Sequence, residues 1–221
     1  MKIAYEKIST VIEMIPGQMN GLVVENAGML YQLLTDLKET LDGKDAGFVF
    51  SKEDKLITAS KTVELVTDFV NFQFNSRTII SKMISSLEQR ALSGEFYLQT
   101  QELLAHIENY MDDLTMDIPY DFMCEKQNIQ SLLKGLGITV ADQFDTLEEK
   151  VLAYMDLVRE FDKKELFIFW NLRCLIPQGR LQLMVDTAMQ REHKILFIDS
   201  TEYPKLKQER RLIIDEDLGE I

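Results

Sequence analysis

Residues 166–170 read Leu166-Phe167-Ile168-Phe169-Trp170, and residues 195–198 read Ile195-Leu196-Phe197-Ile198. Neither run alternates apolar with polar residues. An unbroken apolar strand is the pattern of a sheet covered on both faces. Between the two runs, Leu181, Met184, Val185 and Ala188 recur at helical spacing. A strand, a helix and a second strand of this length form a crossover, which places the two strands parallel in one sheet. This unit sets the fold class as α/β.

Working outward, the first quarter carries the same character. Gly21-Leu22-Val23-Val24-Glu25 is a short apolar strand, and Asn26 is placed to cap a helix with Leu30, Leu33, Leu34 and Leu37 on one face. Phe48-Val49-Phe50, Lys55-Leu56-Ile57-Thr58 and Val63-Glu64-Leu65-Val66 read as further strands. The middle of the chain is helical. From Asn75, a good N-cap, Ile80, Met83, Ile84 and Leu87 share one stripe. A second helix carries Leu103, Leu104, Ile107, Met111 and Leu114, and Pro119 ends or redirects it. A third carries Ile129, Leu132 and Leu133 and stops at Gly135 or Gly137. A fourth starts with capping-box spacing at Thr146 and Glu149 and runs through Val151, Tyr154, Met155, Val158 and Phe161. The simplest assembly joins residues 1–60 and 158–221 in one parallel-sheet α/β domain, with residues 61–157 as a helical insertion.

The chain has 221 residues, 46% apolar and 28% charged, which suits an ordered core. Cys124 and Cys174 form no CxxC pair and fit a reduced, cytoplasmic chain. The amino end lacks an apolar core and a cleavage pattern, so no signal peptide is read. No apolar run approaches the ~20 residues of a membrane helix.

Parallel α/β domains often hold nucleotides, and a phosphate loop needs clustered glycines with Lys-Ser or Lys-Thr. The turn Glu25-Asn26-Ala27-Gly28-Met29 has one glycine, and no Lys or Arg occurs between it and Lys38. Ile195 to Asp199 resembles a Walker B strand with its terminal carboxylate, yet such an ending is common to buried strands. His106 and His193 have no evident nucleophilic partner, and the cysteines and histidines lack zinc-ligand spacing. No enzyme is read from these residues.

The net charge of −13 opposes polyanion binding by a single subunit. Between Arg90 and Lys126 there is no Lys or Arg, while Glu95, Glu102, Glu108, Asp112, Asp113, Asp117, Asp121 and Glu125 all fall there. Such a run is either a solvated acidic face or a seat for a hard cation such as calcium, with Asp117, Asp121 and Glu125 around Pro119 as the candidate ligands. The cations of the middle segment include Lys82, Lys126, Lys134 and Lys150. In a closed oligomer, four copies of three inward lysines would line a channel with about a dozen charges.

Several stretches then carry a resemblance. Leu65-Val66-Thr67-Asp68-Phe69-Val70-Asn71-Phe72 followed by Asn75-Ser76, Leu132-Leu133-Lys134-Gly135-Leu136-Gly137-Ile138 followed by Asp145-Thr146 and Glu149-Lys150, and Lys163-Lys164-Glu165-Leu166-Phe167-Ile168-Phe169 are similar, in that order, to the type II-A CRISPR-associated spacer-acquisition family, the Csn family. Leu22-Val23-Val24-Glu25-Asn26 fits as well. The similarity runs over roughly residues 20–200. It implies an α/β head similar to P-loop NTPases without a phosphate loop, and a helical leg. It also implies a calcium-supported homotetrameric ring that binds double-stranded DNA ends and acts beside the CRISPR integrase subunits and the RNA-guided nuclease, without catalysis of its own. Lys134 and Lys150 lie in matching motifs and are expected to face DNA; Lys126 and Lys82 follow from position. Asp117 with Tyr120-Asp121 matches the family's acidic segment, although Pro119 stands where another acid is expected. A small NTPase and an acidic protein-interaction scaffold are the alternatives.

Overall fold

A computed structural model describes residues 1–120, 122–123 and 127–221. In chain order the elements are β1 (Lys2–Tyr5), β2 (Ile8–Glu13), β3 (Met19–Val24), α1 (Ala27–Leu41), β4 (Phe48–Lys52), β5 (Lys55–Leu56), α2 (Ala59–Thr62), β6 (Val63–Val66), α3 (Arg77–Ala91), α4 (Tyr97–Thr115), α5 (Ile129–Gly135), α6 (Leu147–Asp162), β7 (Leu166–Trp170), α7 (Gln178–Gln190), β8 (Lys194–Asp199) and β9 (Glu209–Ile214). The chain divides into two compact units. One comprises residues 1–72 and 143–221, the other residues 73–142.

The first unit is mixed α/β. Its five-stranded sheet has the order β6-β7-β8-β3-β9, and every neighbouring pair is parallel. Leu166 to Phe169 and Ile195 to Ile198 are buried throughout, because the sheet is covered on both faces. On one face Leu22, Val24, Ile168, Leu196, Ile198 and Ile214 pack with Leu30, Leu33 and Leu37 of α1. The same cluster takes in Ile3, Tyr5 and Phe50 of a second, antiparallel sheet of order β2-β1-β4-β5. On the other face Phe167, Phe169 and Phe197 are fully buried, and each such side chain stabilises the fold by about 1.5–3 kcal/mol. Phe69 meets Phe169, and Phe72 lies edge-on to Tyr154 of α6 at 4.6 Å. The Tyr154 hydroxyl donates to Glu64 at 2.6 Å, and burial raises its pKa.

The expected division at residues 61 and 157 is wider than the second unit. Val63–Val66 is a strand of the parallel sheet, and α6 lies in the first unit, its Val151, Met155 and Val158 buried. Asn26 caps α1 by accepting from the Met29 N–H at 2.9 Å, and Thr146 caps α6 from the Glu149 N–H at 3.3 Å.

The second unit is helical. α3 and α5 are joined by Gln130, whose Nε2 donates to Glu88 at 2.8 Å. The N-cap of α3 is Ser76, not Asn75: Ser76 Oγ accepts from the Ile79 N–H. Asn75 has another task. Its Nδ2 donates to the Val140 carbonyl at 2.8 Å and its Oδ1 accepts from the Val140 N–H at 2.9 Å. This two-bond clasp fastens the beginning of the unit to its end. α4 stops at Thr115, before Pro119.

Candidate nucleic-acid interface

Parallel sheets present ligand sites at the carboxyl ends of their strands. Asp199 ends β8, and its side chain is 1% exposed. Arg173, in a 3-10 turn after β7, places Nε 3.3 Å from Asp199 Oδ2 and Nη2 2.9 Å from Glu209 Oε2. Its guanidinium also lies over the Phe197 ring, 5.0 Å from the centroid. The Arg173–Asp199 contact has ion-pair distance without hydrogen-bond alignment, so both Asp199 oxygens are buried without a donor among the described residues. Burial therefore outweighs Arg173 and pushes the Asp199 carboxyl up to about 6. Burial also pushes Glu209 upward, but hydrogen bonds from Arg211 and the Leu206 N–H, with the positive charge of Arg173, outweigh it and leave this carboxyl below its ordinary value. Arg211 continues the network outward to Glu202 at 2.8 Å.

Gly21 makes this arrangement possible. A Cβ there would stand 2.6 Å from Glu209 Oε1 and 3.5 Å from Arg173 Nη2. The strand thus gives up a side chain so that a carboxylate and a guanidinium can cross its face. The turn after β3 offers no phosphate cradle. Asn26 takes the Met29 N–H itself and ties its own amide to the Glu216 carbonyl at 3.0 Å. The Walker B-like carboxylate of Asp199 faces an arginine of its own chain.

The candidate DNA lysines fall in both units. Lys82 in α3 and Lys134 in the last turn of α5 are exposed in the second unit. Lys134 Nζ donates to Gln130 Oε1 at 3.0 Å, one turn back. Lys150, in the first unit, is half-buried in α6 with its ammonium 5.8 Å from the Phe72 ring centroid. Lys126 lies outside the described residues. So do Asp121 and Glu125, which leaves Asp117 as an exposed carboxylate following α4. Among the described residues no cluster of three or more His, Cys, Asp or Glu side chains could hold a metal. The remaining acids of this run, Glu95, Glu102, Glu108, Asp112 and Asp113, are exposed. His106 is exposed, whereas His193 is buried and bonded through Nε2 to Asp156 at 2.7 Å.

Two features escaped the sequence reading. One is the Arg173–Asp199–Glu209–Arg211 network. Its sequence signal is Gly21 inside the buried strand Met19–Val24. The other is the bareness of α4: its helical spacing predicts a packed face, and the structure leaves that face exposed. Over 19 residues it buries only Thr100. Leu98, Leu103, Tyr110, Met111 and Leu114 are exposed, and Met116, Ile118 and Tyr120 extend the apolar surface beyond it. Thr100, Leu103, Ile107, Tyr110 and Leu114 recur every three or four residues, the spacing of a helix that packs against another helix.

Residues 40–218 match the family model described as "CRISPR-associated protein (Cas_Csn2)". The chain is 23% identical over 165 residues to the CRISPR-associated protein Csn2 of Enterococcus faecalis, an alignment covering 72% of each chain. It is 24% identical over 170 residues to the protein of the same name from Streptococcus agalactiae, covering 76% of this chain and 75% of the relative. Among the described residues no helix is long and apolar enough to cross a membrane. The family match spans most of the chain and takes in β7 and β8 of the parallel sheet, the strands that set the α/β class: the chain belongs to the Cas_Csn2 family of CRISPR-associated proteins.

Proposed function

We propose that this chain is a non-catalytic, ring-forming protein that binds double-stranded DNA ends during CRISPR spacer acquisition. In this reading the first unit is a P-loop-like head without a phosphate loop, and the helical second unit is a leg inserted into it. Four copies close around the duplex, calcium supports the ring, and the integrase subunits and the RNA-guided nuclease are its partners. The observation that carries the reading is α4, a 19-residue helix with a single buried residue and an exposed apolar stripe. A large exposed apolar surface rimmed by charge marks a protein interface. Self-association also answers the charge problem: a subunit of net charge −13 meets a polyanion only if symmetry gathers its exposed lysines on one side. A nucleotide-hydrolysing reading gains no support at the carboxyl edge of the sheet, where Arg173 faces Asp199 and Asn26 closes the turn.

The test is retention of linear against covalently closed circular duplex, with calcium or with chelator, for the wild type and for Lys134→Glu combined with Lys150→Glu. Threading predicts that linear duplex is retained and circular duplex is not, and that the double variant keeps its oligomeric state while losing DNA. Equal retention of both duplexes, or a monomeric wild type in calcium, overturns the proposal.

A further inference from the structure

The sheet of the first unit has a second edge, at the amino ends of its strands. A cavity of about 730 Å³ opens there, beside Gln18 ahead of β3, Glu165 ahead of β7 and Lys194 at the start of β8. Five cations line it: Lys52, Arg159, Lys163, Lys164 and Lys194. The lining carboxylates are three, Glu160, Glu165 and Glu192. The wall therefore carries two positive charges in excess (five minus three) on a chain whose net charge is −13.

How these cations are committed decides what the cavity can take. Lys164 is buried and already engaged, donating to the Ser60 and Val63 carbonyls at 2.7 and 2.8 Å beside Glu64 at 3.5 Å. Arg159 donates to the Arg191 carbonyl and lies 3.4 Å from Glu192. Lys52 and Lys194 share one carboxylate, each ammonium 2.9 Å from Glu165. Their hydrogen bonds, Lys194 first, hold Glu165 down at about 2, so it stays ionised at any physiological pH. An ammonium has three donors, and one shared carboxylate leaves donors on both lysines. Lys163 is exposed, caps α6 in the left-handed conformation with φ 60°, and makes no side-chain ion pair or hydrogen bond among the described residues.

The rest of the wall leaves room for a ligand. Gly17 turns the chain at φ 72° with no atom within 4 Å of where a Cβ would project. Ile15, Pro16 and Met189 give the cavity apolar sides. His193 contributes a side chain that is 1% exposed, and its Nδ1 has no partner among the described residues. The volume falls within the range of small-molecule sites, about 300–1,000 Å³. Two ammonium groups sharing one carboxylate, with a third on the same wall that has no such partner, match a compact polyanion.

We infer that this cavity binds a small phosphorylated anion, its phosphate oxygens held by Lys52, Lys163 and Lys194. The site is separate from the lysines proposed to meet DNA. Lys163→Asn removes one charge while keeping a residue that tolerates the left-handed backbone, and Lys52→Gln removes a second. The experiment is calorimetric titration of the full chain, without DNA, with pyrophosphate and in parallel with ATP. Saturable pyrophosphate binding is expected, weakened about tenfold or more by either substitution, since a charge-assisted hydrogen bond is lost each time. Tighter binding of ATP assigns the ligand to the nucleotides; equal binding assigns it to the phosphate end alone. Lys134→Glu with Lys150→Glu must leave the titration unchanged, so this inference and the DNA reading fail separately. No binding by the wild type overturns the proposal, and so does binding that neither Lys163→Asn nor Lys52→Gln weakens. Loss of duplex retention in Lys163→Asn would assign these cations to DNA and overturn it as well.

Discussion

Replacing Arg173 by methionine tests whether the buried charges at the carboxyl edge of the sheet hold one another. Methionine has a similar reach and packs well on an aromatic ring, so the contact with Phe197 survives while the charge goes. Asp199 then loses the cation 3.3 Å away, whereas Glu209 keeps Arg211 at 2.7 Å. Breaking a buried pair by removing one partner costs about 3–5 kcal/mol. The loss depends on pH, and its sign follows from Asp199. Burial raises this carboxyl from its ordinary 3.8 to about 6, so its contribution to stability is full below about pH 4 and is lost as pH rises through about 6. Without Arg173 the carboxyl rises further. At pH 5 it is protonated in the folded variant and the penalty shrinks; at pH 8 the penalty is complete. Urea unfolding followed by Trp170, the single tryptophan, reads the first unit selectively. At pH 8 the midpoint falls by about 1 M or more for an m-value near 3 kcal/mol/M. A loss below about 1 kcal/mol at pH 8, or equal losses at the two pH values, refutes the reasoning.

Asp199→Asn removes the titrating group, so the wild type and the variant diverge by about 3 kcal/mol between pH 4 and pH 7, the variant losing less stability as pH rises; parallel stability curves contradict this. Gly21→Ala sets a methyl 2.6 Å from Oε1 of Glu209, a carboxylate whose two oxygens three partners hold in place, and costs about 3 kcal/mol in thermal unfolding; an unchanged midpoint means that the network yields freely. Asn75→Ala opens the clasp to Val140, and hydrogen exchange at the Val140 amide rises about tenfold or more, whereas unchanged protection places the fastening elsewhere.

The central sheet was legible because β7 and β8 are buried on both faces and so read as unbroken apolar runs. β9 was not, since Glu209, Arg210 and Arg211 open it with three charges, two of which have buried side chains, Glu209 against Arg173 and Arg211 against Glu209. β1 is only four residues long and β2 is a half-exposed edge strand, which weakens any alternation. Asn75 looked like a cap because Asn favours that role, and only the fold brings Val140, 65 residues on, within its reach. The stripe on α4 was visible as helical spacing, but spacing alone does not tell a helix buried in its own chain from one left bare for a neighbour. The basic cavity draws its lysines from positions 52, 163, 164 and 194, too far apart in sequence to register as a cluster.

The strand order β6-β7-β8-β3-β9 has a temporal meaning. The two parallel-sheet strands made first, β3 and β6, do not touch each other, since β7 and β8 must fill the gap between them. Residues 73–142 form a contiguous unit that can collapse on its own while the ribosome is still at work. In the amino-terminal third β1, β2, β4 and β5 can pair with one another, whereas β3 and β6 have to wait unpaired until the last quarter of the chain emerges. Nascent chains that stall between residues 142 and 194 should therefore be the species most exposed to chaperones and to aggregation.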